Sequence, residues 1–309
     1  MSNIHGFVKE SYTLGSQQDH FSPDINIAFA IDRNYLRPCG VTLFSITEHN
    51  KDLNIDFYIF TTFFDPFGYE EILKNNSNIR IHVYILNTQA YDNLQTNGHF
   101  TTAIYYRLSI ANILQDKLNE ILYLDADILC TSSIKEIKNL KFDNEVIAAV
   151  EEKWLSKDHL KSIDLPQSYQ YFNSGVMLIN IPLWNKINVI DQFNQHITKR
   201  SYKFPDQDVL NIILFNKVKY IHEKFNFFTQ APDVNPIFTH YLSSPKPWSI
   251  AATNNANYLI YYKKSPWGRI PLDLPKSRKE MRKYSSILWK DKKFAPSIKW
   301  FIKYLMTAK

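Results

Sequence analysis

The sequence predicts an α/β protein with a largely parallel sheet flanked by helices, and three observations carry that prediction. Over the first 180 residues, short apolar runs of strand length alternate with stretches of helical spacing. The chain has 309 residues, 45% hydrophobic and 15% aromatic, enough for one large core or two lobes. It contains no internal repeat and no low-complexity tract.

The elements follow in order. "INIAFAI" (25–31) is a strand, and Pro38, suited to a first helical turn, opens a helix running to about Asn50. "NIDFYIFTT" (54–62) is the second strand; a helix from Pro66 to about Lys74 leads to a third at "IRIHVYIL" (79–86). "TTAIYYRLSIANIL" (101–114) has helical spacing and feeds the strand that ends in "LYLDADILC" (122–130). "EVIAAVE" (145–151) and "SGVMLINI" (174–181) are further strands, with helices near 184–199 and 206–216.

The last 47 residues differ. Residues 263–309 hold 14 Lys and Arg against Asp273, Glu280 and Asp291, a balance of +11; residues 1–262 carry 22 basic and 27 acidic side chains, a balance of −5. The formal charge of +6 therefore belongs to a tail, which removes the global argument for nucleic-acid binding. Within that tail Ile298, Phe301, Ile302 and Leu305 fall at i, i+3, i+4 and i+7, with Lys299 and Lys303 on another face. Such a helix suits either docking on the main body with solvated lysines or lying on an anionic membrane surface. The expected division is a main domain over 1–262, with residues 1–23 as an N-terminal extension, and a basic aromatic segment over 263–309.

Two cysteines, Cys39 and Cys130, are too few for a disulfide framework, and their apolar surroundings predict buried thiols in a reducing compartment. The polar start carries no apolar run of signal-peptide length, and no stretch of about 18 apolar residues occurs, so a soluble cytoplasmic protein is expected.

No two of the seven glycines form G-x-G, which removes the dinucleotide fingerprint and the Gly-rich phosphate loop. C-x-x-C, H-E-x-x-H and G-x-S-x-G are missing too. What stands out is Asp125 and Asp127 inside a greasy run. On an extended strand, residues i and i+2 share a side, so both carboxylates would face the ligand crevice at a strand end. Together they offer hard oxygen ligands to Mg²⁺ or Mn²⁺; the rival reading is a strand end where the acids meet solvent or cap a turn.

"FTHYLSSPKPW" (238–248) adds His240, a possible third ligand, and Lys246 six residues later. Two carboxylates, an imidazole and a nearby ammonium suit a diphosphate. "YFNSGVMLIN" (171–180) and "FPDQDVLN" (204–211) set amides and acids beside apolar runs, as hydroxyl-rich ligands need, although Asp206 would also serve as a helix N-cap.

Taken in order, "NIAFAIDRNY", "TTAIYYRL", "LYLDADIL", "YFNSGVMLIN", "FPDQDVLN" and "THYLSSPKPW" resemble the retaining nucleotide-sugar glycosyltransferases of family 8, over roughly residues 24–250. The likeness is greatest to bacterial hexosyltransferases of the lipopolysaccharide and lipooligosaccharide core. That resemblance implies a GT-A fold, whose sheet is mixed and mostly parallel, and a donor of UDP-glucose or UDP-galactose. It implies that Asp125, Asp127 and His240 hold Mn²⁺ or Mg²⁺, and that Lys246 meets the diphosphate. Ala30, Asp32 and Asn34 match positions around the uridine. Arg107 reaches the donor sugar and the acid pair, and Asn173, Asp206 and Gln207 contact the hexose, with Gln207 near the anomeric carbon. Ser243 stands where relatives often carry a glycine, which questions a backbone contact to phosphate.

The implied reaction moves an α-hexose onto a lipopolysaccharide core hydroxyl with retention. The implied location is the cytoplasmic face of the inner membrane, held peripherally through the basic tail. The alternatives are a UDP-sugar-binding protein without transfer activity, or a transferase acting on another glycan or glycolipid acceptor.

Overall fold

In the computed structural model of the chain, residues 6–16, 21–91, 105–228 and 234–307 are described, and the chain divides into two compact units, Met1–His240 and Tyr241–Lys309. Ten strands form among the described residues. They are β1 (Val8–Gly15), β2 (Ile25–Ala30), β3 (Ile55–Thr61), β4 (Ile79–Leu86) and β5 (Glu120–Leu124). Then come β6 (Ile128–Cys130), β7 (Ile147–Glu151), β8 (Phe172–Asn180), β9 (Val218–Tyr220) and β10 (Phe238–His240). Eight of them make one sheet in the order β1-β4-β3-β2-β5-β8-β7-β9, and β6 pairs with β10 in a second.

The run β4-β3-β2-β5 is parallel, β8 is antiparallel to both β5 and β7, and β1 is antiparallel to β4. The sheet is therefore mixed, as expected. β3 is buried at every position, which is why it reads as a continuous apolar run rather than an alternating one. Its single acid, Asp56, survives there because Arg80 on β4 donates to both carboxylate oxygens at 2.8 and 2.6 Å.

The helices of the first unit are α1 (Leu36–His49), α2 (Tyr69–Asn75), α3 (Tyr106–Ile113), α4 (Lys157–Ser162), α5 (Ile181–Lys186), α6 (Val189–Ile197) and α7 (Pro205–Ile213). Pro38 is the third residue of α1, in the first turn, where backbone N–H groups have no intrahelical partner. The helix expected over 184–199 is two. Asn188 takes a left-handed conformation (φ 49°) between α5 and α6, and Asn180 caps α5 from the end of β8. Residues 101–104 of the expected helix before the acid pair lie outside the described residues. β1, within the expected N-terminal extension, is an exposed edge strand without apolar alternation. Tyr105, Phe172, Met177, Trp184 and Phe193 join the main core between the sheet and these helices.

This topology decides where a ligand goes. From β2 the chain moves outward through β3 to β4, then returns to lay β5 on the opposite side of β2. At such a reversal the carboxyl ends of neighbouring parallel strands splay into a crevice. Ala30 ends β2 and Leu124 ends β5 at that point.

The second unit holds α8 (Ala256–Lys264), α9 (Arg278–Lys290) and α10 (Phe294–Met306). Ser277 and Glu280 form a capping box on α9. α9 and α10 meet where Ser285 and Ser297 each donate a hydroxyl to the other's carbonyl, at 3.0 and 2.8 Å. The expected stripe Ile298, Phe301, Ile302 and Leu305 lies on α10 and is left exposed. Among the described residues no helix is long and apolar enough to cross a membrane.

Candidate active site

Asp125 and Asp127 do not share an extended strand. β5 ends at Leu124, Ala126 and Asp127 form a turn, and Ile128 opens β6, which belongs to the other sheet. Their convergence comes from that turn rather than from strand alternation. Helix α1 fixes it. The Thr42 hydroxyl sits 3.1 and 2.6 Å from the carbonyls of Ala126 and Ile128, and Cys130 N–H donates to Ser45 Oγ at 3.0 Å.

Pairing of β6 with β10 sets His240 opposite Ile128, next to Asp127. His240 Nε2 then lies 3.2 Å from Asp127 Oδ1 and 3.9 Å from Asp125 Oδ2. One ligand atom from each of the three residues falls within 4.8 Å of the others. Two carboxylate oxygens and an imidazole nitrogen at that spacing fit a hard divalent cation such as Mn²⁺ or Mg²⁺. The imidazole's other nitrogen, Nδ1, is 2.9 Å from Asn226 Oδ1.

The neighbouring strand supplies room. β8 runs antiparallel to β5, so its first residues lie against the carboxyl end of β5, and Asp125 N–H donates to Gly175 O at 2.8 Å. A Cβ on Gly175 would stand 2.2 Å from His240 Cε1 and 2.9 Å from Asp125 Oδ2. Glycine is required by this close approach.

Arg107, on α3, closes the other side. Its Nη2 donates to Asp125 Oδ1 at 3.0 Å, and Nη1 donates to Ser174 O at 3.1 Å and lies 3.5 Å from Asp206 Oδ2. Tyr123 donates its hydroxyl to the same Asp125 oxygen at 2.5 Å, while the guanidinium sits over its ring at 4.7 Å. Burial works against the Arg107 charge, but Asp125, Tyr123, Asp206 and Asp127 together hold its pKa above the ordinary value. Burial raises the Asp206 carboxyl despite the opposing Arg107 charge.

Phe204, not Asp206, occupies the N-cap of α7; Asp206 and Gln207 lie in its first turns. The Gln207 amide is held at both ends. Oε1 accepts from Ser174 N–H at 2.9 Å, and Nε2 donates to Glu152 Oε2 at 3.0 Å. Asn173 Nδ2 donates to the same Glu152 oxygen at 2.9 Å. Asp208, two residues beyond Asp206, is fully buried and accepts from His159 Nε2 and the Tyr171 hydroxyl, each at 2.7 Å, so its place is in the framework.

Asp32 follows β2 and accepts from Asn34 N–H at 2.8 Å, capping a short helical turn over Arg33–Tyr35. The Tyr35 phenol is raised above its ordinary pKa by burial and then by the charges of Asp127, Asp32 and Asp125. Lys246 belongs to the second unit, where its ammonium donates to Tyr241 O at 2.9 Å. Ser243 is not among the residues with positive φ, so its loop does not depend on glycine geometry. Burial pushes the Cys39 and Cys130 thiols to about 12, as inert core residues.

The first unit thus unites Arg107, Asp125, Asp127, Asn173, Asp206, Gln207 and His240. Glu152, Gly175, Asn226 and Tyr123, which contact them, are not marked as site residues by the sequence. Only Gly175 left a signal, as one of seven glycines lodged inside a buried strand.

A model described as glycosyl transferase family 8 matches residues 26–252, and one described as glycosyl transferase family 8 C-terminal matches residues 253–307. The chain belongs to glycosyl transferase family 8. It is a glycosyltransferase. It is 33% identical to the lipopolysaccharide 1,3-galactosyltransferase of Salmonella typhimurium, over 95% of this chain and 93% of that protein. It is 29% identical to the lipopolysaccharide glucosyltransferase WaaO of Escherichia coli, over 91% and 89%. Among solved structures, the galactosyltransferase LgtC in complex with donor and acceptor sugar analogs matches at a TM-score of 0.66 and 22% identity, covering 78% of this chain and 96% of that one. The bifunctional WbbM matches at 0.68 and 18%, with this chain spanning about half of it (52%). These two likenesses establish the GT-A-type α/β fold.

Proposed function

We propose that this glycosyltransferase moves galactose or glucose from UDP-galactose or UDP-glucose to a sugar hydroxyl of the lipopolysaccharide core, keeping the α configuration. The observation that carries the reading is the Asp125, Asp127 and His240 cluster at the strand-order reversal, with donor atoms within 4.8 Å of one another. The galactosyl- and glucosyltransferase activities for which the Salmonella and Escherichia relatives are named support the hexose and the lipopolysaccharide acceptor.

Asp125, Asp127 and His240 would hold Mn²⁺ or Mg²⁺, which when bound supplies positive charge to the diphosphate of the departing UDP. Lys246 is assigned to the same diphosphate, and Ala30, Asp32 and Asn34 to the uridine. Arg107 holds Asp125 and Asp206 in place. Asn173, Asp206 and Gln207 face the hexose. Gln207 is a poor nucleophile whose oxygen already accepts from Ser174, which favours transfer on one face of the sugar without an enzyme-bound intermediate. No nucleic acid enters this reading.

Residues 263–309 form the membrane-facing segment. The apolar stripe of α10 is about half exposed (Ile298 51%, Phe301 45%, Ile302 48%, Leu305 58%) within a stretch of +11 charge, a combination suited to anionic headgroups at the cytoplasmic face of the inner membrane.

The test is UDP release from a panel of UDP-sugars with Mn²⁺ and a lipopolysaccharide core acceptor, run on the full chain and on Asp127→Ala. Turnover of one hexose donor, abolished in a folded Asp127→Ala protein, is expected. No turnover of any donor would sink the reading. Vesicle co-sedimentation of a chain ending at residue 262 tests the tail, and unchanged vesicle affinity would refute its role.

A further inference from the structure

The hydrogen bonds around His240 continue into the part of the site that faces the sugar, and every bond in that chain has a direction. Glu152, as a carboxylate, accepts and does not donate. Asn173 must therefore turn its NH₂ toward Glu152, as it does at 2.9 Å. The backbone imposes the same orientation independently, because Gly175 N–H donates to Asn173 Oδ1 at 3.0 Å. Asn173 then offers only oxygen to Asn226, whose Nδ2 donates to it at 2.8 Å. That turns Asn226 Oδ1 toward His240 Nδ1, 2.9 Å away. An amide oxygen cannot donate, so the proton of this contact sits on Nδ1 of the imidazole. The other nitrogen, Nε2, faces Asp125 and Asp127, and is the one left to ligate once a cation displaces any proton shared with those carboxylates.

We propose that Asn226 is a positioning residue that sets the His240 tautomer, and that it does so as one link of a directed polar chain from Glu152 through Asn173 to the imidazole. Glu152 also accepts from Gln207, so the chain ties the imidazole to the amide assigned near the reacting carbon. Asn226 is 1% exposed, Asn173 3% and His240 4%, which leaves water little access to replace a lost partner. The proposal rests on the reading of Asp125, Asp127 and His240 as cation ligands only for its effect on metal affinity; the Nδ1 proton follows from the hydrogen-bond chain with or without a cation.

The experiment has two readouts. In the full chain stripped of metal by a chelator, long-range ¹H–¹⁵N spectra, with the His240 signal assigned by its loss in His240→Gln, are expected to show a proton on Nδ1. Asn226→Ala should mix the tautomers and weaken Mn²⁺ binding, followed by electron paramagnetic resonance, about 10- to 100-fold. Asn226→Asp keeps an acceptor for Nδ1–H but loses the donor to Asn173. It should retain the tautomer and the Mn²⁺ affinity while raising KM for the donor sugar, a split that a merely structural role would not produce. A wild-type His240 with no proton on Nδ1 overturns the proposal without any variant. An Asn226→Ala protein with wild-type tautomer and Mn²⁺ affinity overturns it as well. If wild-type protein binds no Mn²⁺, the metal reading fails, and the tautomer spectra still decide the role of Asn226.

Discussion

Gly175→Ala isolates how tightly this site is built. Gly175 does not adopt a positive φ, so alanine meets no backbone penalty there and the whole effect is steric. The new methyl would lie 2.2 Å from His240 Cε1, and unstrained carbon–carbon contacts begin near 3.5 Å, so the gap must open by roughly 1 Å. β8 yields little, because it is paired with β5 on one side and β7 on the other, and Gly175 O receives the Asp125 N–H. The imidazole is what moves. A ligand displaced by about 1 Å is well beyond the roughly 0.2 Å tolerance of metal coordination, and misplacement on this scale costs on the order of 100-fold in rate. The overpacking should cost about 1–3 kcal/mol of stability, which a protein of this size tolerates. We therefore predict a folded protein with slightly lowered Tm, weakened Mn²⁺ binding and transfer reduced about 100-fold. Wild-type transfer and Mn²⁺ affinity in Gly175→Ala would refute the steric argument.

Two further predictions concern the framework. Burial alone would raise the Asp56 carboxyl, but the hydrogen bonds from Arg80 and the nearby His82 more than offset it, so its folded pKa lies below the ordinary carboxylate value. The ionised form then adds stability that is fully present above that ordinary value and is lost as pH falls through the depressed one. Arg80→Ala should cost about 3 kcal/mol near neutral pH and move the acid-unfolding midpoint upward, read by circular dichroism; an unmoved midpoint would count against the pair. Asp208→Ala leaves His159 and Tyr171 without their buried partner and should cost about 3–5 kcal/mol, a fall in Tm of roughly 10 °C, with calorimetry as the check.

The parts of this protein visible in its sequence are those whose side chains carry a pattern along the chain. β2 and β3 are apolar runs because both their faces are covered, β4 largely alternates buried with partly exposed residues, and α10 shows its stripe at helical spacing. β1, β9 and β10 are short or exposed strands whose pairing is decided by distant partners, so their own residues say little. The same holds in the site. Asp125, Asp127 and His240 announce themselves by residue type, although their convergence through a turn and a second sheet does not follow from spacing. Asn226 and Glu152 are an ordinary amide and an ordinary acid until the fold brings them beside Asn173. Within "FPDQDVLN", Asp206 faces Arg107 whereas Asp208 supports the core, and nothing local to the sequence separates the two.

The pairing of β6 with β10 has a consequence in time. His240 is the last residue of the first unit, and more than a hundred residues separate it from Asp127. During synthesis the sheet from β1 to β9 can emerge and pair while the two carboxylates still face each other without the imidazole. On the proposed metal-binding reading, competence to bind a cation would arise at the end of that unit's folding, when β10 docks beside β6. A nascent chain, or a proteolytic fragment cut before Phe238, carries both acids and none of the finished coordination.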